Sequence, residues 1–147
     1  MTDNSFKKVG QSENRLYGPR KILLCGYTAE DQDLFRNMLS ASGIADVALV
    51  VADIESQSIT LKDIFARTDE SGIGLTPEMQ RTVIMAGITE KELHDIINAY
   101  RNSGLPRQFW AMLTPVSENW KLIDLLEELR KENESLRRRQ QDSRKTN

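Results

Sequence analysis

The chain has 147 residues, with 20 basic and 22 acidic side chains and a formal net charge of −2. This near balance excludes a global electrostatic attraction to nucleic acid or to an anionic membrane surface. One cysteine, Cys25, and one histidine, His94, exclude an internal disulfide and a metal site built from several such ligands, so we expect no metal and no cofactor.

Residues 1–20 are polar and contain no apolar run. A secretory signal needs roughly 7 to 15 apolar residues near the start, and a membrane span needs about 20. We therefore expect a disordered N-terminal segment over 1–20, a cytoplasmic location and no membrane partner. A single α/β domain over 21–130 is predicted to follow it.

Four short apolar runs lie at 22–25, 47–52, 83–86 and 109–113, and none of them alternates with polar residues. Continuous apolar runs are typical of strands that are covered on both faces. The sequence thus predicts an α/β fold, a four-stranded and mainly parallel sheet with helices on both faces. A ferredoxin-like α+β arrangement is the alternative, in which the last helix or a second subunit covers the other face.

Two helices are predicted over 28–42 and 89–103, each between a pair of strands. Each begins at a threonine that can cap it, has an acidic residue three positions later and stops before a glycine. A shift of 61 residues aligns the two regions without a gap for about 33 positions, and Gly26 then falls on Gly87. We predict a duplicated strand-helix-strand unit, residues 21–53 and 82–115. Two unrelated units that share ordinary caps and stops are the alternative.

A last helix is predicted from about residue 117 to 139. Its leucines are spaced seven apart, with a leucine and an asparagine between them, as in the core of a short parallel coiled coil. The alternative is that the first leucines pack on the sheet, while 131–147 form a helical extension that frays into a disordered tail. The candidate self-association residues occupy the core positions of this pattern: Leu122, Leu126, Leu129, Asn133 and Leu136.

The segment 81–129 resembles a known family. Its most specific part is the run Leu-Thr-Pro-x-x-x-Asn-Trp at 113–120, preceded by a strand and an amphipathic helix and followed by a leucine- and glutamate-rich helix. These features resemble a small bacterial family that is described only as a domain of unknown function. The resemblance implies no activity, cofactor or catalytic residue.

Ligands of open parallel sheets bind beyond the carboxyl ends of the strands, where helix N-termini point. In this chain two Gly-x-Thr turns, an aspartate and a threonine follow the predicted strands. The candidate residues for binding an anion or another small ligand are Gly26, Thr28, Asp53, Gly87, Thr89 and Thr114.

No catalytic residue is assigned. Cys25 ends the first strand near a helix N-terminus, but His94 falls in the helix of the other unit, so the two do not suggest a catalytic pair. The arginines at 137–139 are too few, beside their acidic neighbours, to predict specific nucleic-acid binding. We predict a non-catalytic protein-interaction module whose partner is another protein or a second copy. The alternative is a domain, or an enzyme, that binds a small ligand or an anion.

Overall fold

The computed structural model describes residues 13–44 and 46–145, with side chains as far as residue 142. Its centre is an open four-stranded sheet with the strand order β2-β1-β3-β4. Each strand matches one predicted apolar run. The strands are β1 (Lys21–Cys25), β2 (Ala48–Val51), β3 (Thr82–Ala86) and β4 (Phe109–Met112).

Two of the three strand pairings are parallel, namely β1 with β2 and β3 with β4. The central pairing of β1 with β3 is antiparallel, with Leu23 opposite Ile84. The sheet is therefore mostly parallel, as the apolar runs predict, but it contains one antiparallel pair at its centre. In the ferredoxin-like alternative the two strands of a unit are separated by another strand, whereas here they are neighbours.

The connection between β2 and β3 sets this central direction. It includes α2 (Leu61–Phe65) and runs back towards the start of β1. There the side chain of Lys21 donates hydrogen bonds to the backbone at the end of α2. The connection then returns along the outer edge of β2, where the backbone of Val51 donates to the oxygen of Ser71. The chain therefore arrives at the end of the sheet where β1 finishes, and β3 must run the opposite way.

Helices cover both faces of the sheet. Besides α2, they are α1 (Ala29–Ala41), α3 (Glu90–Arg101) and α4 (Leu122–Lys145). Side chains of α1 and α3 form one apolar core with alternate residues of the strands. Side chains of α2 and the first turns of α4 form a second core on the opposite face. Burial on both faces explains why the strand sequences are continuously apolar.

Helices α1 and α3 begin where the sequence predicts. Thr28 accepts a hydrogen bond from the backbone of Asp31, and Thr89 accepts one from the backbone of Glu92. Glu92 also accepts from the backbone of Thr89, which completes the reciprocal cap. Asp31 differs, because its shorter side chain accepts from Arg81 on another element.

The described structure continues past both bounds predicted for the domain, residues 21 and 130. Within the segment 1–20, residues 13–20 are described, and Leu16 donates to the backbone oxygen of Ile88 while Gly87 donates to that of Tyr17. These bonds to the turn after β3 order a polar segment that has no apolar pattern of its own. The remainder of that prediction, residues 1–12, lies outside the described residues.

The last helix also continues beyond the point where fraying was expected. Helix α4 is continuous to Lys145, so the described part of 131–147 is helical, and only 146 and 147 lie outside the description. Among the described residues, no helix combines the length and the apolar composition that a membrane crossing requires.

Candidate functional site

The antiparallel pairing of β1 with β3 divides the predicted ligand residues between opposite ends of the sheet. The carboxyl ends of β1 and β2 lie at one end, and those of β3 and β4 lie at the other. The two sets are therefore separated by the length of the strands, and they do not line one pocket. The first end carries Gly26, Thr28 and Asp53, and the second carries Gly87, Thr89 and Thr114.

The two turn glycines pack against backbone. Gly26 has φ +72°, and a Cβ atom added to it would lie 2.3 Å from the backbone oxygen of Met79. Gly87 has φ +64°, and its Cβ would lie 2.5 Å from the backbone nitrogen of Arg20. Because each glycine has no side chain, it leaves room for the backbone of the segment that leads into the first strand of the other unit. Close packing between the units explains both glycines.

The polar candidates are engaged in local caps. Thr28 and Thr89 cap their helices as described, and Asp53 caps the 3-10 turn Ile54–Ser58 through both the backbone and the hydroxyl of Ser56. These hydrogen bonds from Ser56 lower the pKa of the Asp53 carboxyl. Thr114 and Ser117 cap one another in the same way before α4. Anion binding at these turns stays a prediction.

Cys25 and His94 lie in different chemical environments, one buried and the other exposed. Complete burial raises the pKa of the Cys25 thiol to about 12, so the thiolate that a nucleophile or a metal ligand needs is scarce at neutral pH. The side chain of His94 is exposed on α3. Within 13–44 and 46–145, no group of three or more His, Cys, Asp or Glu side chains is arranged to hold a metal ion.

A pair of ion-paired arginines, which the sequence analysis missed, links the two units. Arg20 precedes β1 and donates to both carboxylate oxygens of Glu92 on α3, at 2.6 and 2.5 Å, and to Asp46 at 2.8 Å. Arg81 precedes β3 and donates to Asp31 on α1 at 2.9 Å. Each arginine therefore reaches from the entry of one unit to the first turn of the helix in the other. Planar guanidinium groups suit such paired contacts with carboxylates.

Arg81 also contacts two aromatic side chains, Tyr27 and Tyr100. Its guanidinium carbon is 3.8 Å from the ring centroid of Tyr27, and its Nε donates to the hydroxyl of Tyr100 at 3.0 Å. Tyr27 donates in turn to Gln108, and burial raises the pKa of the Tyr27 hydroxyl. Nη2 of Arg81 and Nε2 of Gln108 are buried without an acceptor among the described residues. Buried donors of this kind are commonly paired with ordered water.

The ion pair of Glu92 predicts a pH dependence of stability. The hydrogen bond from Arg20 holds the pKa of Glu92 below its ordinary value of 4.5. A carboxyl whose pKa is lower in the folded state stabilises the fold above its unfolded pKa and loses that contribution as the pH falls through the folded pKa. We expect Glu92→Gln to be less stable than the parent above about pH 5, and the gap to close at lower pH.

Urea unfolding of both proteins between pH 7 and 3 measures this gap. Glu127→Gln, which removes an exposed carboxylate on α4, is the matched control and is expected to follow the parent curve. A gap of constant size for Glu92→Gln across this range contradicts the assignment.

The predicted self-association residues separate into two groups. Leu122 and Leu126 are buried in the core beneath the sheet, so they are not available to a partner. Leu129 packs partly against the same core, Asn133 is half-buried, and Leu136 is 54% exposed. The available part of the helix surface thus begins at Leu129.

Comparison with known families gives one result. Residues 81–136 match the model of a domain of unknown function (DUF3783). The match includes β3, α3, β4 and α4 as far as Leu136, which confirms the predicted resemblance of this segment to a family of unknown function. Neither the comparison with curated proteins nor the comparison with solved structures returned a match.

Proposed function

We propose that this chain is a non-catalytic protein-interaction module that self-associates through the exposed part of α4. The observation that carries the proposal is the length of helix that the domain leaves uncovered. Helix α4 has 24 residues and is therefore about 36 Å long, but no residue after Leu126 is fully buried within the described side chains. Isolated helices are marginal in water, and most helices are stabilised by packing of one face.

The uncovered part retains one apolar stripe. Leu129, Asn133 and Leu136 are separated by four and three residues, so their side chains lie on one face of the helix. Two such stripes bury leucine against leucine when the helices pair. The pairing begins at Leu129, because the preceding core positions of the predicted heptads are already used inside the domain.

The charge pattern favours an antiparallel pair. Residues 122–134 carry five acidic and two basic side chains, a net charge of −3, whereas 135–145 carry five basic and one acidic, a net charge of +4. An antiparallel second copy aligns the acidic half with the basic half. With Leu129 level with Leu136 of the second copy, Glu128 lies near its Arg137. The parallel pair predicted from the heptads brings Glu132 near Arg137 of the second copy. It also brings Arg139 near Arg144, and like charges repel.

Sedimentation velocity tests this contact through Leu136→Glu. The parent chain is expected to form a concentration-dependent dimer or larger species through α4, and the substitution to weaken the α4 contact more than tenfold, since burying one leucine contributes about 1.5 to 3 kcal/mol. Salt near 1 M, where the Debye length is about 3 Å, is also expected to weaken it.

Leu34→Glu is the matched control, because Leu34 is a comparably exposed leucine at 45% on α1. Its sedimentation is expected to equal that of the parent. Truncation after Arg130, which removes no fully buried residue among the described side chains, should reproduce the effect of Leu136→Glu. Equal association of the parent, Leu136→Glu and the truncated chain rejects the α4 contact.

The duplicated unit belongs to the same proposal, since it makes the domain itself a pairing of two similar units. Three reciprocal features support it. Under the shift of 61 residues Arg20 falls on Arg81 and Asp31 on Glu92, so the two ion pairs between the units exchange roles. Each turn glycine packs on the entry to the other unit. In the central pairing, Leu23 lies opposite Ile84, its own counterpart under the shift.

A further inference from the structure

The two edges of the sheet differ in their hydrogen bonding. At the outer edge of β2, the backbone of Leu49 donates to the side chain of Asp69 at 2.8 Å and accepts from the backbone of Glu70 at 2.8 Å. Val51 donates to the backbone oxygen of Ser71 at 2.8 Å. The returning connection therefore occupies this edge, which prevents further strands from adding there.

The outer edge of β4 has no such cover among residues 13–44 and 46–145. Phe109 and Leu113 donate inward, to the backbone oxygens of Arg81 and Met85, at 3.1 and 2.9 Å. Backbone groups of a strand alternate in direction, so those of Trp110 and Met112 point away from β3. No hydrogen bond to these outward groups is present in the described part of the chain.

The composition of β4 also leaves this edge unprotected. Exposed edges are commonly blunted by charged residues, proline or a bulge. The strand Phe109–Met112 contains none of these residues, and each of its four side chains is half-buried. Trp110 and Met112 pack on the face of α1 and α3, while Ala111 packs on the opposite face.

We propose that β4 pairs antiparallel with β4 of a second copy, which joins two four-stranded sheets into one of eight strands. The register follows from the outward groups. Trp110 and Met112 of one copy exchange backbone hydrogen bonds with Met112 and Trp110 of the other, and Ala111 lies on the two-fold axis. This contact goes beyond the α4 contact and does not depend on it, because the two use different residues.

A second copy is the occupant that suits this edge best. The pairing is isologous, so the same four outward groups satisfy one another. On one face Trp110 lies beside Met112 of the partner copy, an apolar and polarisable pair. At the axis the two Ala111 side chains are small enough to avoid a clash. In this register Arg107 lies opposite Pro115 of the other copy, three residues before its Glu118, so the flanking charges are opposite in sign.

Substitutions at Met112 test the pairing without removing bonds inside the protomer, because its backbone nitrogen faces outward. Met112→Pro removes one outward donor, and Met112→Lys, a milder change, places two lysines beside the two-fold axis. Leu75→Lys, at a leucine that is 49% exposed, is the control for a lysine added to the surface. Circular dichroism and thermal unfolding identify any variant that fails to fold.

The measurement is sedimentation of full-length chains that combine these changes with Leu136→Glu. The parent has both contacts, so it is expected to assemble beyond a dimer, since a protomer with two self-pairing surfaces contacts two neighbours. Leu136→Glu alone is expected to form a dimer through β4, and Leu75→Lys added to it should leave that dimer intact. Met112→Lys added to Leu136→Glu is expected to give a monomer, with Kd raised at least tenfold.

Different experimental results would reject the β4 pairing and the α4 contact. A monomeric Leu136→Glu chain overturns the β4 pairing. A dimeric Leu136→Glu chain that remains dimeric with Met112→Lys overturns it as well. Equal association of the parent and Leu136→Glu instead rejects the α4 contact and leaves the β4 pairing in place.

Discussion

Gly26→Ala is expected to lower the free energy of unfolding by about 4 kcal/mol. The left-handed backbone at φ +72° disfavours an alanine by about 1 to 2 kcal/mol. The new methyl group would also lie 2.3 Å from the backbone oxygen of Met79 and 3.0 Å from the backbone of Arg81. Backbone at the strand entry must move to admit it, and overpacking of this kind costs about 1 to 3 kcal/mol.

Gly43→Ala separates the two contributions. Gly43 has φ +78° at the end of α1, but its added Cβ would meet nothing within 4 Å. The control is expected to lose only the conformational part, about 1 to 2 kcal/mol. Urea unfolding of both variants measures the difference. Equal losses in Gly26→Ala and Gly43→Ala would show that the close approach between the units is not what requires glycine at 26.

Arg81→Ala is expected to destabilise the fold by about 3 kcal/mol, because breaking a largely buried ion pair leaves the other charge uncompensated. The side chains of Arg81 and Asp31 are only 14% and 20% exposed. The substitution also removes the stacking of the guanidinium on Tyr27 and its hydrogen bond to Tyr100. The effect should be seen as a lower urea midpoint with an unchanged slope.

Arg36→Ala is the matched control for this prediction. Arg36 pairs with Glu70 at 2.6 Å, but both side chains are well exposed, so the loss is expected to stay within about 0.5 kcal/mol. A double-mutant cycle of Arg81→Ala with Asp31→Ala is expected to show coupling of about 1 kcal/mol or more. No coupling, or an Arg81→Ala variant as stable as Arg36→Ala, contradicts a linking role for Arg81.

The sequence by itself determined the local elements of this protein. Strands and helices follow from apolar spacing and from caps such as Thr28 and Thr89, which depend on neighbours within a few residues. It also indicated the family resemblance of the second unit, through motifs that are contiguous in the chain. These features are short-range, so a linear pattern records them.

The direction of the central pairing, and with it the placement of the candidate ligand residues, was decided by the tertiary structure. The return of the connection past Ser71 forms no apolar helix or strand, so its passage along the outer edge of β2 leaves no periodic signal. The roles of Gly26 and Arg81 were decided at the same level. A glycine or an arginine beside a strand is compatible with many environments, and only the approach of the second unit selects one.

The shift of 61 residues did carry a signal for the missed ion pairs, since it aligns Arg20 with Arg81 and Asp31 with Glu92. Their contact across the units still required the antiparallel sheet to bring each arginine to the opposite helix. In α4 the helical residues were recognisable in sequence, but which leucines face the core and which face solvent depends on where the sheet ends. Burial depends on the assembled layers, so the apolar spacing of α4 alone does not show that Leu126 is buried and Leu136 is exposed.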